Sequence, residues 1–209
     1  MNIYPVVASK AGKIYRSLGR GLSARRLGSR VQPGDKLHLG CGPNRFEGWV
    51  NIDRSGSPDL RHDLRWGLPL PPHAVRFIYS EHVFEHLLLT DTIGLLNDCR
   101  TALEPGGVMR IAMPDLGYLV DRYKTDWKGQ AWIQDPVYSD IDTAAHMLNH
   151  ALRSWGHLYV YDAEDLTQRL LDAGFRDVTR RPWGDSPHAE LKGLETREDS
   201  KLIVEATAP

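Results

Sequence analysis

The sequence predicts an α/β fold, with a mostly parallel sheet, an antiparallel final strand and a helical insertion after strand five. Three observations predict it. From Lys36 onward, short β-rich apolar runs alternate with stretches of helical spacing, the pattern of a parallel sheet. A glycine turn, Gly40-Cys-Gly42, closes the first run, and a carboxylate, Asp53, closes the second. The last two runs, Phe175–Arg180 and Lys201–Ala206, have a loop between them and no helical periodicity, so they should pair antiparallel.

Length and composition set the frame. A chain of 209 residues, 41% hydrophobic and 25% charged, can bury one sizeable core, roughly 70% of its unfolded surface at this size. No run approaches the roughly 18 apolar residues of a membrane span. Cys41 and Cys99 lie far apart, one in a turn and one in a helical pattern, which suits a reduced, cytoplasmic setting. Charge divides the chain. Residues 1–34 hold seven Lys or Arg and no acid, leaving 19 basic against 27 acidic residues in the rest. That division suggests a basic N-terminal extension, 1–34, and a main domain, 35–209. The extension suits folding onto the acidic body, docking a partner subunit (a homodimer included), peripheral contact with an anionic lipid-linked substrate, or targeting. The acidic main body argues against nucleic acid.

The elements follow in order. Pro33-Gly34-Asp35 is a turn signal opening the compact domain. Lys36–Leu39 and Trp49–Ile52 read as the first two strands. The eight residues from Cys41 to Gly48 are too few for an ordinary crossover helix. Arg61–Leu64 reads as a short third strand ending at Asp63, and Val75–Tyr79 as the fourth. Thr90 or Asp91 should cap a helix whose apolar positions are Ile93, Leu96, Cys99 and Leu103, with Val108–Met113 as the fifth strand. The insertion spans 115–161. Leu116, Leu119, Tyr123 and Trp127 suggest one helix in it. Ile141, Ala145, Leu148, Leu152 and Trp155 suggest another, with His146, Asn149, His150 and Arg153 on its opposite side. Asp162 caps a last helix that Gly174 closes.

Several groupings carry chemistry. A glycine turn at the end of a strand exposes backbone N–H groups at the sheet's crevice, and an acid ending the next strand is placed to accept bonds from a ribose diol. His82-Val-Phe-Glu-His86 matches H-x-x-E-H, a zinc-hydrolase signature that would use both imidazoles with Glu85 as base. It begins directly after an apolar strand, however, where Glu85 and His86 would equally serve as a buried polar pair anchoring a helix start. Asp115 follows strand five where a cleft should open, and Asp185-Ser-Pro-His188 joins two strands at the presumed ligand edge. Trp127, Trp132, Trp155 and Trp183 are available for stacking on a ring or for packing.

In this order, the motifs resemble those of a class I S-adenosylmethionine-dependent methyltransferase. Leu37-His-Leu-Gly-Cys-Gly42 looks like the family's first motif, Asp53 like its ribose-binding acid, and Asp63-Leu64 like the pair that holds the adenine. Phe77–His86 is similar to the segment beside the methionine moiety, and Leu103–Ile111 to the turn into strand five. The resemblance implies a Rossmann-like sheet and S-adenosylmethionine as cofactor, with Gly40, Cys41, Gly42, Asp53, Arg54, Asp63, Leu64, Ser80 and Glu81 in contact with it. The short Gly42–Asp53 spacing is similar to that of a small bacterial subgroup associated with saccharide and cell-envelope pathways. The expected activity is O-methylation of a saccharide or glycolipid precursor. A small-molecule N- or O-methyltransferase with a non-sugar acceptor is the alternative, and a zinc hydrolase the remote one. A sugar hydroxyl needs a general base, for which His146 comes first, then His82 and Asp115, with His150, Arg153 and His188 as substrate contacts. A divalent cation could hold a sugar diol, although the sequence contains no hard-cation loop.

Overall fold

Alternate residues of the first two strands differ in kind, and this decides how the sheet is covered. In β1 (Asp35–Leu39) and β2 (Val50–Asp53), Leu37, Leu39 and Ile52 join the main apolar core, while His38 and Asn51 turn the other way. With β3 (Leu60–Arg61), β4 (Val75–Glu81), β5 (Leu103–Met113), β6 (Arg176–Arg180) and β7 (Leu202–Thr207), they form one sheet. Its order is β3-β2-β1-β4-β5-β7-β6, in the computed structural model that describes residues 20, 21 and 24–209. The first five strands are parallel, and β7 runs antiparallel to both β5 and β6. The expected sheet is the observed one. Among the described residues no helix is long and apolar enough to cross a membrane.

The apolar face receives helices α1 (Leu89–Ala102) and α4 (Ala163–Asp172) through Leu95, Leu96, Cys99, Leu166 and Leu170. Residues 24–30 are helical and add Leu27, with Val31 just beyond, so the core takes in residues ahead of Pro33. Arg20 Nη2 is 2.7 Å from Asp98 on α1. The rest of the basic N-terminal stretch, with the partner and surface roles expected of it, lies outside the described residues.

The opposite face has no crossover helix between β1 and β2; residues 41–49 are turns and irregular chain. Its cover comes from elsewhere. His38 stacks on Phe46 with ring centroids 4.2 Å apart, and Trp49, Phe77, Tyr79, Val108 and Leu191 cluster around them. The loop between β6 and β7 folds across this face. Arg110, fully buried, ties it down, with Nε 2.6 Å from Glu195 and Nη1 2.7 Å from Glu205 and 2.8 Å from the Asp185 carbonyl. These bonds explain how a guanidinium survives burial, since an unpaired buried charge would cost several kcal/mol.

The insertion contains α2 (Leu116–Lys124) and α3 (Ala144–Arg153), packed on their own small core of Leu119, Ile141, Met147 and Ala151. Local expectations need correction here and elsewhere. The third strand stops at Arg61, because Asp63 caps a 3-10 turn over Leu64–Trp66 instead of ending a strand. Neither Thr90 nor Asp91 caps α1, which starts at Leu89 without a side-chain cap. Ile93 is exposed, because Thr92 takes the buried position on the helix. Thr143 caps α3, its Oγ1 accepting from the His146 amide at 3.1 Å, so this helix starts after Ile141. Trp127 falls beyond the end of α2, and Tyr123 is exposed.

Candidate active site

The glycine turn at the end of β1 is tied to the end of β2. Gly42 has φ +51°, and its N–H donates to Asp53 Oδ2 at 2.9 Å, while Ser55 N–H and Oγ donate to Oδ1 at 2.8 and 3.0 Å. Burial alone would raise the Asp53 pKa. The bonds from Ser55 and Gly42 outweigh it and hold the carboxyl below its usual range, so it stays an anion with lone pairs left for a ligand. Gly40, at φ +67°, has a different reason to be glycine: a Cβ there would run into Val83 Cγ2. Cys41 is buried away from the crevice, and burial pushes its thiol up to about 11.

A cavity of about 510 Å³ begins at this turn. Gly40, Asp53, Arg54, Asp63 and Leu64 line it, as do His82, His86, Trp155 and Gly156. The Asp63 carboxylate is paired with the Arg65 side chain, Oδ1 lying 2.9 Å from Nε, and also accepts from the Arg65 amide at 3.0 Å. Two expected cofactor contacts do not line this cavity. Ser80 is wholly buried in β4, its side chain away from the cavity lining. Glu81 accepts bonds from Thr196 N–H and Oγ1, Arg197 N–H and Ser200 Oγ at 2.6–3.2 Å, which fastens the β6–β7 loop to the sheet.

Beyond β4 the chain does not enter a long helix. His82 sits in left-handed backbone at φ +52°, and only Phe84–His86 form a 3-10 turn, so the two imidazoles are not one helical turn apart on a single helix face. His82 Nδ1 lies 3.0 Å from Glu85 Oε1, and its Nε2 is 3.6 Å from Asp199 Oδ1. The Glu85 carbonyl accepts from the amides of Leu158 and Tyr159 at 2.7 and 3.1 Å. That clamp brings the returning end of the insertion against the turn and sets His157 beside His86, with ring centroids 5.0 Å apart. Burial lowers the His157 pKa, keeping the ring neutral. Trp155, just before it, is also left-handed, at φ +58°. Non-glycine residues in this region are strained by about 1–3 kcal/mol each and concentrate at functional sites.

A second cavity, of about 590 Å³, lies under the insertion, lined by Asp115, Gln130, Trp132, Asp135, Trp155, His157, Asp199 and Lys201 among others. Trp155 borders both cavities. Trp132 meets Trp155 edge-on at 5.2 Å, and Trp155 Nε1 donates to the Tyr138 hydroxyl at 3.0 Å. His150 stacks on Trp132 at 5.7 Å, so it backs the aromatic wall without lining the cavity. Asp115 lines it, but its carboxylate already accepts from Gly117 N–H at 2.9 Å and pairs with Arg180 at 2.7 Å.

The other expected residues are not brought here. His146 lines neither cavity; its Nδ1 is 3.4 Å from Asp142 on the partly exposed side of α3. Arg153 is exposed and also outside both. His188 packs near Phe77, ring centroids 5.7 Å apart, on the opposite face of the sheet. Of the three base candidates, His82 alone lines the first cavity and also approaches a residue of the second, Asp199. His157 and Asp199 have no signal in the sequence, because only closure of the insertion and of the β6–β7 loop brings them in.

A family model described as "Methyltransferase domain" matches residues 16–180. No curated protein sequence matches the chain. Among solved structures, an Archaeoglobus fulgidus SAM-dependent methyltransferase superposes with a TM-score of 0.51 at 16% identity, covering 92% of this chain and 94% of the other. A methyltransferase from Mesorhizobium loti has a TM-score of 0.48 at 18% identity, with 90% and 97% covered. One from Thermotoga maritima has 0.49 at 13% identity, with 93% and 91% covered. At 16% identity, the likeness to the Archaeoglobus fulgidus structure speaks to fold alone.

Proposed function

This chain belongs to the methyltransferase-domain family, and from that premise we propose that it methylates a hydroxyl of a saccharide or glycolipid precursor, with S-adenosylmethionine as donor. The donor belongs in the cavity at the glycine turn. Its residues fit that molecule: Asp53 remains anionic with capacity to accept from a ribose diol, Asp63 and Leu64 offer a polar and an apolar contact to the base, and Val83 and Leu87 add apolar wall. When bound, S-adenosylmethionine supplies a methyl carbon on a positively charged sulfur, an activated group that an oxygen nucleophile displaces in line.

The acceptor belongs in the cavity under the insertion, and the composition of its wall is the observation that carries the reading. Trp132 and Trp155 line it together with Asp135, Asp199 and Lys201, whose charged groups stand near the rings. Aromatic rings suit the C–H faces of a sugar, and carboxylates suit its hydroxyls. His82 stands where the two cavities approach. The Glu85 carboxylate, 3.0 Å from Nδ1, favours positive charge on the ring when Nε2 takes the acceptor's proton. Asp199, near Nε2, stabilises the imidazolium so formed. Proton removal of this kind contributes about 10²–10⁴ in rate. This arrangement favours His82 over His146 as the base.

The direct test is a donor-consumption screen with mono- and oligosaccharides against a panel of amines and phenols. Turnover with a saccharide and an oxygen-linked methyl group in the product is the expected result. Turnover confined to amines would overturn the acceptor assignment.

A further inference from the structure

Glu85, His86 and His157 play no direct part in the proton transfer to His82, yet they bring three ligand atoms within 4.8 Å of one another. We propose that they form a binding site for a divalent transition-metal ion at the junction of the two cavities, and that this ion holds the acceptor oxygen; the second half rests on the methyl-transfer reading above.

Three features of the cluster point to a cation. First, the Glu85 side chain is 0% exposed, and apart from the off-axis contact with His82 its oxygens have no hydrogen-bond partner among the described residues. An ionised carboxylate so placed is costly unless a positive charge compensates it. Second, His157 Nδ1 is 2.8 Å from the Ala151 carbonyl, which can only accept. The ring hydrogen is therefore on Nδ1 and the lone pair on Nε2, the tautomer fixed by an outer carbonyl that metal-binding histidines characteristically have. Third, the two imidazoles come from separate segments locked together by the bonds from Leu158 and Tyr159 to the Glu85 carbonyl, so the ligands are pre-positioned.

Ligand chemistry narrows the ion. Two imidazoles and one carboxylate suit Zn²⁺, Mn²⁺ or Fe²⁺, whereas Mg²⁺ and Ca²⁺ prefer oxygen throughout. Three protein ligands leave coordination positions open, as in sites that take a substrate oxygen. His86 lines the donor cavity and His157 the acceptor cavity, so an ion held by both would adjoin the two. An ion there would orient the hydroxyl and polarise it. The motif His82–His86 thus contributes two ligands, with the third supplied by the insertion and His82 left to act beside them.

The test uses the full chain without a histidine tag, stripped with chelator and titrated with Co²⁺ followed by Zn²⁺. Expected are visible d–d absorption saturating at one equivalent of Co²⁺, bleaching by Zn²⁺ and indifference to Mg²⁺. His86→Gln and His157→Gln should each weaken Co²⁺ binding about tenfold or more. Because His157 also packs within the fold, His86→Gln with an unchanged melting temperature is the deciding variant. Folded wild type that takes up no Co²⁺, or uptake untouched by His86→Gln, would overturn the site. Pyrocatechol, a bidentate diol, should alter the Co²⁺ spectrum, and an unaltered spectrum would remove the acceptor-holding role. Calorimetry with S-adenosylhomocysteine separates the two readings. Co²⁺ binding without nucleoside binding would keep the metal site and sink methyl transfer, and the reverse would sink the site alone.

Discussion

Asp53 and His82 are the single residues on which most depends. Asp53 joins the glycine turn to β2 through Gly42 and Ser55 and still faces the first cavity. Asp53→Ala should weaken S-adenosylhomocysteine binding about tenfold or more in calorimetry, the loss of charge-assisted bonds being worth roughly 1.5–3 kcal/mol. His82→Gln should slow methyl transfer about 10²-fold or more, while His146→Ala should leave turnover near the wild-type rate. Equal losses in the two variants would contradict the placement of the base. Asp53 was legible in the sequence because its contact partners are local in chain position. Glu81 was not: a carboxylate at a strand end near the crevice looks like a ligand contact until the loop at Thr196–Ser200 is seen to consume it. His146 shared that fate, because an amphipathic pattern tells which residues share a helix face but not which neighbour that face meets.

At the scale of elements, the missing crossover helix is replaced by side chains. Phe46 on His38, with Trp49 and the β6–β7 loop, covers a sheet face that a parallel sheet normally gives to helices. Burial, partly opposed by the bond to Asn51, holds the His38 pKa down to about 4 from 6.5. A neutral folded ring is stable above the unfolded pKa, and that stability is lost as pH falls from 6.5 towards 4, in total on the order of 3 kcal/mol. His62 and His157 shift in the same direction, so His38→Asn should flatten the acid-side slope of stability in urea melts without abolishing it. The turn makes a separate prediction. Gly40→Ala places a methyl group against Val83 in left-handed backbone and should cost about 2–4 kcal/mol. Val83→Ala in the same chain should recover part of that loss, and a strictly additive pair would rule out the clash. The sequence announced the short connection through its eight residues. The Phe46 stack and the loop's return depend on contacts distant along the chain and could not be read there.

For the molecule as a whole, the core extends beyond the charge boundary visible in the sequence. Leu27 is 1% exposed and Val31 7%, both within the main cluster. Leu27→Ala should cost about 2–5 kcal/mol, and a chain lacking residues 1–34 should melt well below the full one; an unchanged melting temperature would remove these residues from the core. The mostly parallel sheet with its antiparallel end was legible because strand pattern, glycine turn and connection lengths all speak to it. The boundary was not, since a run of basic residues masks two apolar positions that only packing reveals. The same extended core supports both cavities: the donor cavity needs the ends of β1, β2 and β4, and the insertion adds Trp155. Donor binding is therefore the property that the whole account stands on. Calorimetric titration of S-adenosylhomocysteine into the intact protein measures it directly: saturable binding at one per chain is predicted, and the absence of saturable binding by a folded protein would contradict it.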